Sequence, residues 1–304
     1  MEAIKDIGSA GTPGSGGFMH ELSILSRINR AEWLPSPDQV LARCLKLFAE
    51  EDVPVKKIGD VFKVEGGLCS QLLKVANSAF YSHSGRIDDI YHAVATVGIR
   101  EVKNICLAIT MARQFGHIKM AESFDLTGFW RHSMLVSFIA DEFAEGRPWI
   151  KRDSARLYGL LHDMGRLAMG GCLPEYFEKA LQLSRAGNLS LNEAEGALGI
   201  THTYLGWILA KKWGLPEPIR FIARWHHDPL EGAPYSREAA FINIADYLAN
   251  IIIEPYGIMR AMPPSGDILA LADIGRHEFE NYMEKAQDII KKADVIVQIF
   301  DNIS

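Results

Sequence analysis

The sequence predicts an all-α protein, and three observations carry that expectation. From Asp38 onward, apolar residues recur at spacings of three and four, the mark of a helix with one buried face. The first half holds no alternating run of β-branched residues that would read as a strand. Clusters of Gly, Pro, Asn and Ser cut the chain into pieces of helix length.

Taken in order, residues 1–17 include the run Gly8 to Gly17, rich in glycine and serine, which reads as a flexible lead-in without a core role. Met19 to Ile28 suits one short helix, and Leu34-Pro35-Ser36-Pro37-Asp38 a stop followed by a helical start. From Asp38 to Glu50, Val40, Leu41, Cys44, Leu45, Leu47 and Phe48 lie at helical spacing. Val55 to Val64, Gly67 to Asn77, Asp89 to Val97 and Arg100 to Phe115 continue the series, so 18–120 reads as an N-terminal helical half. A second series fills 121–270: Leu126 to Glu145, Lys151 to His162, Pro174 to Arg185, Leu191 to Leu198, His202 to Trp213, Pro216 to His226 and Arg237 to Ile253. Gly187-Asn188 breaks one pair of helices, and Gly214-Leu215-Pro216 ends one and starts another. Pro255 and Pro263-Pro264 mark a looser stretch before a C-terminal helix, about Asp273 to Phe300, within 271–304. Its Ile289, Ile290, Val295, Ile296 and Ile299 suit either covering the domain or pairing with a second copy.

A chain of 304 residues is long enough for two core-bearing units or one large domain. Apolar content of 48% and charged content of 23% are ordinary for a soluble globular protein. A net charge of −6 argues against a broad nucleic-acid surface. The scattered Cys44, Cys69, Cys106 and Cys172 have no CxxC spacing and read as reduced core thiols. No apolar run reaches the roughly 18 residues of a membrane span. The N-terminus lacks the basic start and apolar core of a signal peptide, which makes the cytoplasm the expected location.

The functional signal lies in polar groups on apolar stripes. His132 is followed by Leu135, Val136, Ile139 and Phe143 on one helical face, so it should point inward. His202 shares a face with Leu205 and Leu209, His226 with Ile219 and Ile222, and Asp246 with Ile242, Ala249 and Ile253. A buried carboxylate costs several kcal/mol unless it is paired or binds a metal. Each of these groups alone reads as an ordinary hydrogen-bonded core residue. Together with His162-Asp163 and His227 they point to a metal site. The pair His162-Asp163 reads as closing an apolar helix, with Gly165 letting the chain turn. Imidazoles with shared carboxylates suit divalent Fe, Mn, Ni or Zn, with iron the first expectation. A ligand set this large exceeds the needs of one tetrahedral zinc. Two ions about 3.5–4 Å apart activate a water and clamp a phosphoryl oxygen.

Several motifs then converge: Leu34-Pro35-Ser36-Pro37, the run Leu72 to Tyr81, His92 to Gly98, Phe129-Trp130-Arg131-His132-Ser133, Gly159 to Arg166, His202 to Gly206, Trp213 to Pro216, and Trp225-His226-His227-Asp228-Pro229. Over about 30–290 the chain resembles the HD superfamily of helical metal-dependent phosphohydrolases, and within it the HDOD branch. The resemblance implies an HD-domain-like helical bundle preceded by a smaller N-terminal helical subdomain. It also implies a role as a bacterial signalling output, with signalling proteins as partners.

Carried over from the dinuclear sites of HD-GYP-type phosphodiesterases, the resemblance implies His132, His162, Asp163, His202, His226, His227 and Asp246 as metal ligands. Asp163 would bridge the ions, and Asp163 and Arg166 are the catalytic candidates. Three departures qualify the likeness. Arg166 stands where those phosphodiesterases often have lysine, Asp228 to Pro234 contains no GYP, and Gly128 replaces a glutamate that would support a third metal. Two metals at most follow, and cyclic-di-GMP is disfavoured as a substrate.

The first functional expectation is a regulatory module that retains a metal site. The alternative is a phosphohydrolase acting on a nucleotide or cyclic dinucleotide, with Arg166 or Arg131 holding a phosphate oxygen. A di-iron redox or oxygen sensor is a third use of the same ligands. For Arg131 a surface ion pair is the simpler reading. Arg147, Lys151, Arg152 and Arg156 read as a solvated helix start, Lys211-Lys212 as an exposed helix end, and Trp207, Trp213 and Trp225 as core and packing residues.

Overall fold

The computed structural model describes residues 34–49, 53–64, 66–82, 85–253 and 262–298. All lie in one compact unit beginning at Leu34. The lead-in 1–17 and the helix expected over Met19 to Ile28 fall outside the described residues, as does Ile299. The described residues contain helices and no strand.

The first helices are α1 (Gln39–Ala49), α2 (Val55–Val64), α3 (Gly66–Ala76), α4 (Ile90–Val97) and α5 (Ile99–Gly116). Asp89 starts α4 by accepting hydrogen bonds from the backbone N–H groups of Tyr91 and His92. Helix α5 is buried along almost its whole length, including Glu101, Lys103 and Asn104, because α1 packs on it from one side and α7 (Arg152–Leu161) from another. Cys44 of α1 and Cys106 of α5 meet in this layer as buried free thiols.

Helix α6 (Leu126–Ala144) is the axis of the rest of the molecule. It packs against α7, α13 (Ser236–Ile252) and α15 (Arg276–Val297). Asp125 caps it through the Gly128 N–H. Next come α8 (Met164–Cys172), α9 (Pro174–Gly187), α10 (Leu191–Ala197), α11 (His202–Lys212) and α12 (Glu217–Trp225). Ser190 and Glu193 form a capping box at α10, and Thr201 caps α11 through Tyr204 N–H. Asn188 ends α9 in the left-handed conformation, φ 55°, as the Gly187-Asn188 break requires. A short helix α14 (Gly266–Leu271) precedes α15.

The boundaries agree with the sequence reading to within a residue or two, with three corrections. Helix α8 was not expected, and Gly165 lies inside it rather than at a turn. Helix α14 occupies part of the stretch read as loose. The C-terminal helix begins at Arg276, because Asp273 takes a positive φ of 57° and the chain turns there.

Arg152 and Arg156 of the basic cluster are the fourth correction, while Lys151 is exposed as expected. Arg156 is 5% exposed and donates to Glu101 Oε2 at 3.0 Å and Asp141 Oδ2 at 2.8 Å. Arg152 donates to both Asp141 oxygens, at 2.7 and 2.9 Å. These arginines bind acids on α5 and α6 across the core, a partnership invisible from their own helix. Helix α15 covers the domain through Ala293, Ile296 and Val297, while Ile289, Ile290 and Val295 stay partly exposed. Of the three tryptophans only Trp213 joins the core; Trp207 and Trp225 remain partly exposed. Lys211 sits 5.3 Å over the Trp207 ring, and Lys212 donates to Leu34 O at 2.6 Å. No helix among the described residues is long and apolar enough to cross a membrane.

Candidate metal centre

Five elements deliver the polar groups to one point. His132 lies on α6, four residues from the buried Val136 and seven from Ile139. His162 caps the C-terminus of α7, and Asp163 (φ −99°, ψ 13°) is the hinge to α8. His202 opens α11, His226 follows the last residue of α12, and Asp246 lies on the inner face of α13.

Two glycines flanking the His-Asp pair permit the convergence. A Cβ on Gly159 would stand 2.7 Å from the Ser137 Cα of α6, and one on Gly165 would stand 1.8 Å from the His202 carbonyl oxygen. Backbones of α7 and α6, and of α8 and α11, therefore touch where no side chain fits.

Asp163 is central. Its Oδ1 lies 3.1 Å from His202 Nε2 and 3.5 Å from His226 Nε2. Its Oδ2 faces His162 Nε2 at 3.7 Å and His132 Nε2 at 4.0 Å. Asp246 Oδ1 completes the second group, 3.0 Å from His132 Nε2 and 3.6 Å from His162 Nε2, and Asp246 Oδ2 lies 4.0 Å from His227 Nδ1. Two ligand clusters thus share one carboxylate: Asp163, His202, His226 and His227 on one side, and His132, His162 and Asp163 on the other.

Hydrogen bonds fix the tautomers. His162 Nδ1 is 2.7 Å from Gly159 O, and His226 Nδ1 is 3.0 Å from Ile222 O. A carbonyl only accepts, so both Nδ1 atoms donate. His202 Nδ1 is bonded to Glu195 Oε2 in the same way. In the neutral ring each Nε2 then carries a lone pair aimed at the centre, the arrangement second-layer partners impose on metal-ligating histidines. His162 Nε2 and Asp163 Oδ1 are buried without a hydrogen-bond partner. Lone pairs of imidazoles and carboxylates facing one another repel unless a proton or a metal ion lies between them.

The charges agree. Burial alone would push the Asp163 carboxyl up, but Arg166, His162 and His202 hold it well below its ordinary value. Asp246 is held low against burial by His132 and His162. Glu195 is held low by His202 and Arg166, again against burial. Three buried carboxylates against one guanidinium leave two negative charges for other cations to balance. Burial and the neighbouring histidines push His226 and His227 down towards the neutral, ligating form. His162 is raised by Asp163 and Asp246 although burial opposes it, and His202 by Glu195 and Asp163 although burial and Arg166 oppose it. The donor set fits divalent Fe, Mn, Ni or Zn.

All seven residues that the sequence offers as ligand candidates meet here. Arg166 also stands at the centre, 9% exposed, donating from Nε to Asp163 Oδ2 at 2.8 Å and from Nη1 to Glu195 Oε1 at 3.0 Å. Arg131 points elsewhere and pairs with Asp294 of α15 at 2.6 and 3.1 Å. Glu195, fully buried, was missed: its short helix reads Leu-Asn-Glu-Ala-Glu, which looks like a solvated face. Asn243 and Asn250, which donate to His226 O and Asp246 Oδ1, were missed as well.

Residues 34–229 match the HDOD domain. The chain belongs to the HDOD family. An uncharacterised protein of Treponema pallidum (strain Nichols) is 27% identical over 229 residues, covering 73% of this chain and 43% of that relative. The HDOD chain thus spans less than half the length of the curated relative it matches. A solved structure from Marinobacter aquaeolei VT8, named as a candidate signal transduction protein, has a TM-score of 0.76 at 18% identity, covering 94% of this chain and 65% of its own. A candidate phosphohydrolase from Shewanella amazonensis SB2B has a TM-score of 0.68 at 22% identity, covering 91% of this chain and 99% of its own. At such identities these structures establish a common helical fold.

Proposed function

We propose that this HDOD chain is a signal-transducing regulatory module built around a dinuclear metal centre, acting through protein partners rather than by turnover. In this reading His202, His226 and His227 would hold one divalent ion and His132, His162 and Asp246 the other, with Asp163 available to both. The observation that carries the regulatory reading is the closure of the centre. His132, His162, Asp163, His202, His226 and Asp246 are all 5% exposed or less. Arg166, the cation expected to grip a phosphate, is already held by Asp163 and Glu195. A phosphoester must bring its phosphorus within about 3–3.5 Å of its nucleophile, which needs an open face. A buried centre of this kind instead ties five elements together, so metal occupancy can be read out in how those elements pack.

Hydrolysis of a nucleotide or cyclic dinucleotide is the second reading. Its support is the complete ligand set and the His227 side chain, 22% exposed at the edge of the centre. Bound ions would supply Lewis-acid polarisation of a phosphoryl oxygen.

The two readings part in one assay. Protein loaded with Mn²⁺ or Fe²⁺ is offered a panel of phosphomonoesters, nucleotides and cyclic dinucleotides. The regulatory reading expects no turnover above a His162→Ala control. Turnover by the loaded protein that disappears in His162→Ala would overturn it in favour of hydrolysis.

A further inference from the structure

We infer that the two halves of the centre load in order: the half formed by Asp163, His202, His226 and His227 takes the first divalent ion, and Arg166 weakens the second ion in the half formed by Asp163, His132, His162 and Asp246. This rests on the dinuclear reading above and adds the residue that makes the halves unequal.

The halves differ in whether their donor atoms are already used. On the first side the Nδ1 atoms of His202 and His226 are tied to Glu195 and Ile222 O, which leaves their Nε2 atoms for a ligand. Those Nε2 atoms are 3.4 Å apart and flank Asp163 Oδ1, which has no hydrogen bond. The Arg166 guanidinium holds Asp163 through Oδ2 and not Oδ1, although its charge also acts on His202, so an ion entering there meets donors already aimed.

On the second side two carboxylate oxygens are already engaged, while His162 Nε2 is as unpartnered as the first side's Asp163 Oδ1. Asp163 Oδ2 accepts from Arg166 Nε at 2.8 Å, and Asp246 Oδ1 accepts from Asn250 Nδ2 at 2.8 Å while facing His132 Nε2 at 3.0 Å. The guanidinium cannot easily leave, because Glu195, fully buried, anchors its other end at 3.0 Å. An arginine does not deprotonate in a protein. A second ion on Oδ2 therefore binds beside a fixed positive charge in a medium that screens it poorly. A carboxylate oxygen can accept a hydrogen bond and bind a metal at once, so the guanidinium weakens this ion without forbidding it.

Glu195 works on both halves: it fixes the His202 tautomer for the first ion and anchors the arginine that opposes the second. It is a positioning residue, touching neither ion.

The test is calorimetric titration of the metal-stripped 304-residue chain with Mn²⁺. Wild type is expected to show a tight event and a second at least tenfold weaker. His132→Ala should lose the second event and keep the first. Arg166→Gln, which keeps a donor for Asp163 but removes the charge, should tighten the second ion at least tenfold and change the first by less than the second. If Arg166→Gln fails to fold because Glu195 is left uncompensated, Arg166→Gln/Glu195→Gln removes both charges, and the second ion should again tighten. A folded variant whose second ion is unchanged or weaker would overturn the inference, as would loss of the first event in His132→Ala. Wild type that takes up no Mn²⁺ would instead overturn the metal-centre reading itself.

Discussion

Gly165 shows how much a single hydrogen atom decides here. A methyl group at this position would stand 1.8 Å from the His202 carbonyl and 2.5 Å from the Gly206 nitrogen, both backbone atoms that cannot rotate away. Gly165→Ala is therefore expected to part α8 from α11. It should cost at least ~2 kcal/mol of stability and weaken metal uptake at Asp163 and His202. Gly196→Ala is the control, since nothing lies within 4 Å of its added carbon; in a helix that change should be neutral or slightly stabilising. Thermal melts and metal titration of both variants check this, and a Gly165→Ala protein with wild-type melting would contradict the close-contact account. At this scale the sequence was informative where polarity broke an apolar stripe: His132, His202, His226 and Asp246 stand out against their own helices. Glu195 gave no such signal, because an acid in a short, acid-rich helix is the ordinary solvated pattern. Only the three-dimensional approach of Arg166 and His202 makes it special.

Between elements, the α5–α6–α7 junction is held by charge inside the core. Asp141, 3% exposed, accepts from both Arg152 and Arg156, and Arg156 reaches on to Glu101. Burial alone would raise the Asp141 carboxyl; the two arginines reverse that and bring its pKa from 3.8 to about 2. Because the folded value lies below the unfolded one, its contribution, on the order of 2 kcal/mol, is complete above roughly pH 4. It is lost as pH falls towards 2. Urea midpoints measured from pH 5 to pH 2 should fall less steeply in Asp141→Asn than in wild type. Equal slopes would show that Asp141 gains nothing from its arginines. This junction carries His132 on α6 and His162 after α7, so it also sets the distance between two proposed ligands. The sequence did not reveal it. Helical periodicity placed the basic residues at a helix start, where solvation is the default, and their acids lie 11, 15 and 55 residues away.

On the scale of the whole molecule, helix content and most boundaries were legible because caps and breaks are local: Asp89, Asp125, Ser190 and Asn188 each act on their neighbours. The course of the chain through α8 and α14 was less legible. The glycines at 165, 170 and 171 resemble loop residues until the contacts that demand them are seen. The proposed centre joins α6, α7, α11, α12 and α13, so stripping metal should loosen the whole unit rather than one helix. Ligand binding at about 100 times its Kd adds about 2.7 kcal/mol, roughly 5–10 °C in Tm for a domain of this size. Chelator treatment should lower Tm by that order, and re-addition of the ion should restore it. A melt indifferent to both would mean that the histidines and carboxylates balance one another without a metal.

The metal content of the purified protein decides whether a centre stands on Asp163. Elemental analysis of purified wild-type protein, reconstituted without oxygen and set beside Asp163→Ala, is expected to find up to two Fe, Mn, Ni or Zn per chain in wild type. The variant, lacking the carboxylate that both ligand clusters share, should hold little. No metal in wild type, or equal metal in both proteins, would contradict a centre built on Asp163.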